Sequence, residues 1–70
     1  MTEYTVKMTW REESSVWIAV NDEIPIALES ESFDTLVKRV KLAAPELLEL
    51  NGADTNCVLH FVSDRREAVA

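Results

Sequence analysis

Only a few side chains in this sequence have reactive chemistry to offer: one histidine, one cysteine and three short clusters of carboxylates. His60 is the single group that would carry protons near neutral pH, and Cys57 the single thiol that would serve as nucleophile or soft metal ligand. The two are three residues apart in Cys57-Val58-Leu59-His60-Phe61-Val62, a run that reads as a strand. Odd spacing on a strand sends side chains to opposite faces, so a Cys/His dyad or a shared metal would need a broken strand. His60 is therefore read as a sheet-face residue. Glu12-Glu13, Asp22-Glu23 and Glu29-Ser30-Glu31 would suit a metal-dependent nuclease if they converged. Nothing in their spacing brings them to one surface, and solvated loop and edge charges are expected. Trp10 and Trp17 have ring faces on which bases stack, yet no Lys/Arg cluster accompanies them, so they are assigned to core packing. Gly52 is the only glycine, which leaves no phosphate-cradling loop. The expectation is a chain with no catalytic residues, no cofactor and no metal: a binding protein rather than an enzyme.

Five elements position these residues. Tyr4, Val6, Met8 and Trp10 alternate with Thr5, Lys7, Thr9 and Arg11, the period of two of a half-buried strand. Glu12 to Ser15 break the pattern, and Val16-Trp17-Ile18-Ala19-Val20 resumes it with β-branched and aromatic residues. A four-residue hairpin loop would set Arg11 opposite Val16 and Trp10 opposite Trp17, whereas a loop one residue shorter or longer would exchange the faces. Asn21 to Pro25 reads as a turn, and Ile26 to Ser30 as a short third strand. Ser32 is the expected N-cap of an amphipathic helix with Asp34 in its first turn and Phe33, Leu36, Val37, Val40, Ala44 and Leu47 on one stripe. Leu36, Val40 and Leu47 are expected to be buried against the sheet. Pro45 cannot donate to the Lys41 carbonyl, which predicts a kink or restart near Lys41 in a helix running through Leu50. Asn51-Gly52 ends the helix, and Asn56 to Ser63 forms a fourth strand with Cys57, Leu59 and Phe61 on one face. Residues 63–70 are expected to be a flexible polar tail.

These elements predict a single α+β domain over residues 1–70: strand-strand-strand-helix-strand, an antiparallel sheet with one helix packed on one face. Seventy residues hold one domain, with a radius of gyration of about 11 Å if compact. The net charge is −6, from thirteen acidic against seven basic residues, which argues against direct nucleic-acid binding by this chain and for a basic partner. No apolar run approaches the roughly 20 residues that span a bilayer, so no membrane partner is expected. The start Met1-Thr2-Glu3-Tyr4 lacks a charged-then-apolar leader, and one cysteine makes no internal disulfide. A cytoplasmic protein is expected. The second strand is apolar on both faces while one helix covers only one of them. If Trp10 and Trp17 receive the helix, Val16, Ile18 and Val20 are left for a partner, and a homodimer held partly by Ile18 is expected in the absence of another.

The stretch from Trp10 to Pro25, with Glu29-Ser30-Glu31-Ser32-Phe33 and Ala44-Pro45-Glu46-Leu47-Leu48-Glu49-Leu50-Asn51-Gly52, resembles a small uncharacterised bacterial family grouped with the HicB-like antitoxins. The resemblance covers roughly residues 4 to 52. It implies a degenerate ribonuclease H-like or double-stranded-RNA-binding-domain-like layer without catalysis, the HicB N-terminal-like arrangement. Arg11 and Ile26 depart from the family, which usually has an acidic residue and a glycine at these places. Full-length HicB antitoxins add a C-terminal DNA-binding segment, and the chain ends about eighteen residues after the helix, so autorepression by this chain alone is not expected. The implied function is neutralisation of a small basic toxin, an RNA-cleaving one of the HicA type, with Glu12, Glu13, Asp22 and Glu23 as the attracting carboxylates. The alternative is a homo-oligomeric structural or regulatory module with no toxin.

Overall fold

A computed structural model describes residues 1–69. Its elements follow the expected order: β1 (Thr2–Arg11), β2 (Val16–Asn21), β3 (Ile26–Ser30), α1 (Phe33–Leu50) and β4 (Cys57–Asp64). β1 and β2 pair antiparallel across a loop of four residues, with Arg11 opposite Val16 and Trp10 opposite Trp17, the register expected. That turn is closed by the Ser15 amide donating to the Glu12 carbonyl at 3.3 Å. Ser15 takes φ +53°, a left-handed conformation in which a Cβ is crowded. Ser15→Gly is accordingly expected to raise stability by about 0.5–1 kcal/mol and the β-branched Ser15→Val to lower it by about 1–2 kcal/mol, compared as urea midpoints.

The sheet order is β3-β2-β1-β4, and β4 lies parallel to β1, so the sheet is mixed rather than antiparallel throughout. The cause is the helix. β3 runs in the direction of β1, α1 carries the chain back along the sheet, and the next strand must again run with β1. Only two residues, Glu31 and Ser32, separate β3 from α1. The helix therefore starts beside β3 and packs on β3 and β2, leaving β4 at its margin.

Ser32 caps α1 as expected, its hydroxyl accepting from the Thr35 amide at 3.3 Å. α1 runs unbroken from Phe33 to Leu50 with Pro45 inside, so no restart occurs at Pro45. Pro45 is exposed, and its ring sits on the rim of the helix rather than in the core. The C-terminus is a Schellman turn: Ala53 donates to the Leu48 carbonyl at 2.9 Å and Gly52 to the Glu49 carbonyl at 3.0 Å. Only Gly52, at φ +70°, is left-handed, since Asn51 has φ −88°.

Tyr4, Val6 and Met8 of β1, Ala19, Ile24 and Ile26 are buried with Leu36, Val40, Ala44 and Leu48 of α1. Leu36 and Val40 are buried as expected, whereas Leu47 is only half-buried and Leu48 takes its place. The buried residues follow a strict i, i+4 row, which drifts around the helix as it crosses a twisted sheet. The tail is also shorter than expected. β4 continues through Asp64, which pairs with Thr9, and Ala70 lies outside the described residues. The radius of gyration is 13.1 Å rather than about 11 Å because the molecule extends 49 Å along one axis and 18 Å across it.

Candidate functional site

Alternation along β2 puts Trp17 and Ala19 under the helix and Val16, Ile18 and Val20 on the open face of the sheet. Val16 and Ile18 are half-buried and Val20 is 40% exposed. Register then assembles the rest of that face. Val20 neighbours Lys7, and Lys7 neighbours Val62 of β4; Ile18 neighbours Thr9, and Thr9 neighbours Asp64. Val58, also from β4, is 45% exposed.

The four carboxylates singled out from the sequence flank this face at its two ends. Glu12 and Glu13 occupy the β1–β2 turn, and Asp22 and Glu23 the β2–β3 turn. Successive hairpin turns sit at opposite ends of their shared strand, and the six residues of β2 separate them by about 20 Å. A shallow hollow of about 410 Å³ is lined by Glu3, Lys7, Val20, Asp22 and Glu23 among others. A second, of about 390 Å³, is lined by Arg11, Glu12, Glu13, Ile18 and Val20 among others. They meet at Val20, and each carries more carboxylates than cations. Glu3 and Lys7 carry no signal of their own in the sequence, although the hairpin register pairs Lys7 with Val20.

The second acidic end is held rigidly. Asn21 Oδ1 accepts from the amides of Glu23 at 2.8 Å and Ile24 at 2.7 Å, and Nδ2 donates to the Thr5 carbonyl at 2.6 Å. One side chain thus shapes the turn that carries Asp22 and Glu23 and ties it to β1.

The opposite face holds an aromatic ladder. Trp10 meets Trp17 edge-on at 5.4 Å, and Trp17 meets Phe33 at 5.0 Å and 82°. Arg65, expected in a flexible tail, lies 4.2 Å from the Trp10 ring centroid. Its guanidinium donates to Glu67 Oε1 at 2.6 and 3.0 Å. The Trp10 indole nitrogen is buried with no hydrogen-bond partner among the described residues. The core assignment of these rings holds only in part: both are half-buried, Trp17 packs against the core cluster, and Trp10 lies outside it beneath the Arg65 guanidinium. A groove of about 480 Å³ runs between α1 and β4, lined by Val37, Lys41, Pro45, Cys57, Leu59 and Phe61 among others. Cys57 is in this groove, whereas His60 is exposed, pairs with Thr5 and falls on the open face. Among the described residues no three His, Cys, Asp or Glu side chains gather as metal ligands.

Residues 3–70 match the family described as Domain of unknown function (DUF1902). The chain belongs to this family. Among curated proteins none matches the sequence. The DUF1902 fold seen here is similar to the crystal structure of hypothetical protein TTHA1013 from the extremely thermophilic bacterium Thermus thermophilus. The two share 26% identity over 97% of each chain, with a TM-score of 0.73. No helix is long and apolar enough to cross a membrane among the described residues.

Proposed function

We propose that this DUF1902 chain is a non-catalytic, antitoxin-like cytoplasmic protein that covers the RNA-binding surface of a small basic toxin, an RNA-cleaving protein of the HicA type. The observation that carries this reading is the open sheet face, where Val16, Ile18 and Val20 form an apolar strip bounded at one end by Glu12 and Glu13 and at the other by Asp22 and Glu23. An apolar strand with acidic turns at both ends, bordered on this face by Lys7, Thr9 and Arg11 of β1 and by Glu29 of β3, fits a protein whose own surface is built to hold phosphate: the turn carboxylates take the place of RNA, and opposite charges steer the encounter. The resemblance of residues 4–52 to the HicB-like antitoxins supports the same reading. A second copy fits this face less well, because two-fold pairing would set acidic ends against acidic ends in a chain of net charge −6.

The test begins with the neighbouring genes: a short basic open reading frame alongside favours the antitoxin reading and its absence the homo-oligomeric module, and such a frame is then co-expressed with this chain, the complex isolated and RNA cleavage by the basic protein measured. A stable complex and loss of cleavage are expected, with no cleavage and no tight divalent metal binding by this chain alone. Replacing Glu12, Glu13, Asp22 and Glu23 with Gln, Gln, Asn and Gln should slow association by about tenfold or more at low salt, with the difference shrinking as salt rises. Undiminished cleavage in the presence of excess chain would remove the antitoxin reading and leave the homo-oligomeric module.

A further inference from the structure

The two edges of the sheet are treated differently by the sequence. β3 has five residues, follows Pro25, carries Glu29, and has the Glu29 carbonyl capped by Arg39 Nη1 at 2.7 Å. Shortness, proline, charge and a capping side chain are the devices that keep an edge from pairing with another chain. β4 has none of them before Asp64, its last residue. It has eight residues, and from Cys57 to Ser63 it contains no proline and no Asp, Glu, Lys or Arg. Its apolar residues occupy both faces: Cys57, Leu59 and Phe61 on the helix side, Val58 and Val62 on the other. Among the described residues its backbone pairs with β1 alone, and no side chain caps its outer edge. The helix, displaced toward β3, leaves the groove beside Leu59 and Phe61 open along that same edge.

We propose that the outer edge of β4 is the self-association surface, where a second copy adds its own β4 antiparallel about a two-fold axis and continues the sheet across the dimer. The occupant follows from charge. In a protein of net charge −6, the uncharged stretch Cys57–Ser63 is where two copies approach without opposing carboxylates. The register follows from self-complementarity. With His60 opposite His60 of the second copy, Val58 faces Val62 on the open side and Leu59 faces Phe61 on the helix side, so the pairs next to the axis join apolar residues and Cys57 meets Ser63 at the ends. Seven paired residues on each chain supply about six to eight backbone hydrogen bonds. The groove gains a second wall from the partner's Leu59 and Phe61. The hydrogen-bonding edge lies at the margin of the open face and shares Val58 and Val62 with it, whereas the Val16-Ile18-Val20 strip is two strands away and is left uncovered.

Sedimentation of the whole chain tests the proposal, with circular dichroism to verify folding. The wild type should be a dimer, and Ile18→Asp on the open face should leave it so. Val58→Lys with Val62→Lys sets lysine against lysine in both symmetry-related pairs and should weaken the dimer on the order of a hundredfold. Val58→Lys with Val62→Glu makes the same positions polar but pairs opposite charges across the axis, and should restore the dimer. A monomeric wild type, a double-lysine variant that stays dimeric, or a Lys/Glu variant that is folded and monomeric would each overturn the proposal. Dissociation by Ile18→Asp alone would also overturn it, placing the second copy on the open face. None of these outcomes bears on toxin inhibition, which is read separately by RNA cleavage.

Discussion

Leu36→Ala is expected to lower the unfolding free energy by about 2–5 kcal/mol, a large part of what a domain of this size has to lose. Leu36 is fully buried near the start of α1, the helix that packs on β2 and β3. Truncation removes its transfer free energy and leaves a cavity. The surroundings cannot close it readily, because Val40, Ala44, Met8 and Val6 around the same core are themselves fully buried. Urea denaturation monitored by tryptophan fluorescence reports the loss directly, since Trp17 packs on Phe33 one turn before Leu36. Leu42, 74% exposed on the same helix, is the control: Leu42→Ala should change stability by less than about 0.5 kcal/mol. Equal midpoints for Leu36→Ala and the wild type would mean that α1 presents a different face to the sheet.

Asn21→Ala should cost about 2–3 kcal/mol, because three hydrogen bonds end on this one side chain. Two are accepted from the amides of Glu23 and Ile24 and one is donated to Thr5, and the Ile24 amide is partly buried. Its loss leaves that donor unpaired and frees the turn that seats Ile24, whose side chain is fully buried. Asn21→Asp separates the contributions, because it retains the acceptor for both amides while setting a carboxylate oxygen against the Thr5 carbonyl in place of the donor. The Ile24 amide should keep its protection from hydrogen exchange in Asn21→Asp but not in Asn21→Ala. The functional consequence is specific. Without Asn21, Asp22 and Glu23 no longer hold a fixed position at the end of the open face.

Local pattern made much of this structure readable in advance. Alternation over Tyr4–Arg11 and Val16–Val20 identified the strands, and the length of the Glu12–Ser15 loop set the Trp10–Trp17 register, which in turn determined the face that receives the helix. Ser32 marked the helix start and Gly52 its end, because capping chemistry is local. The placement of Val16, Ile18 and Val20 opposite the helix needed only the period of two. Ile24 was hidden in what reads as a polar turn, since nothing within five residues shows that Asn21 folds the chain back to bury it. Arg65 read as tail because its partner, Trp10, is distant in sequence.

Which segments are strand or helix, which side of each is apolar, and that Glu12, Glu13, Asp22 and Glu23 fall in turns are all properties carried by neighbours a few positions apart, and so they could be read from the chain. Three others emerged with the assembled fold: β4 lies parallel to β1, the acidic turns stand at opposite ends of one open face, and α1 covers β3 and β2 while leaving the β4 edge bare. These depend on the direction in which a helix returns the chain and on the length of its connections, two residues before α1 and six after it, which bias where the helix rests. Periodicity records which side of an element is buried; it carries no record of which element does the burying.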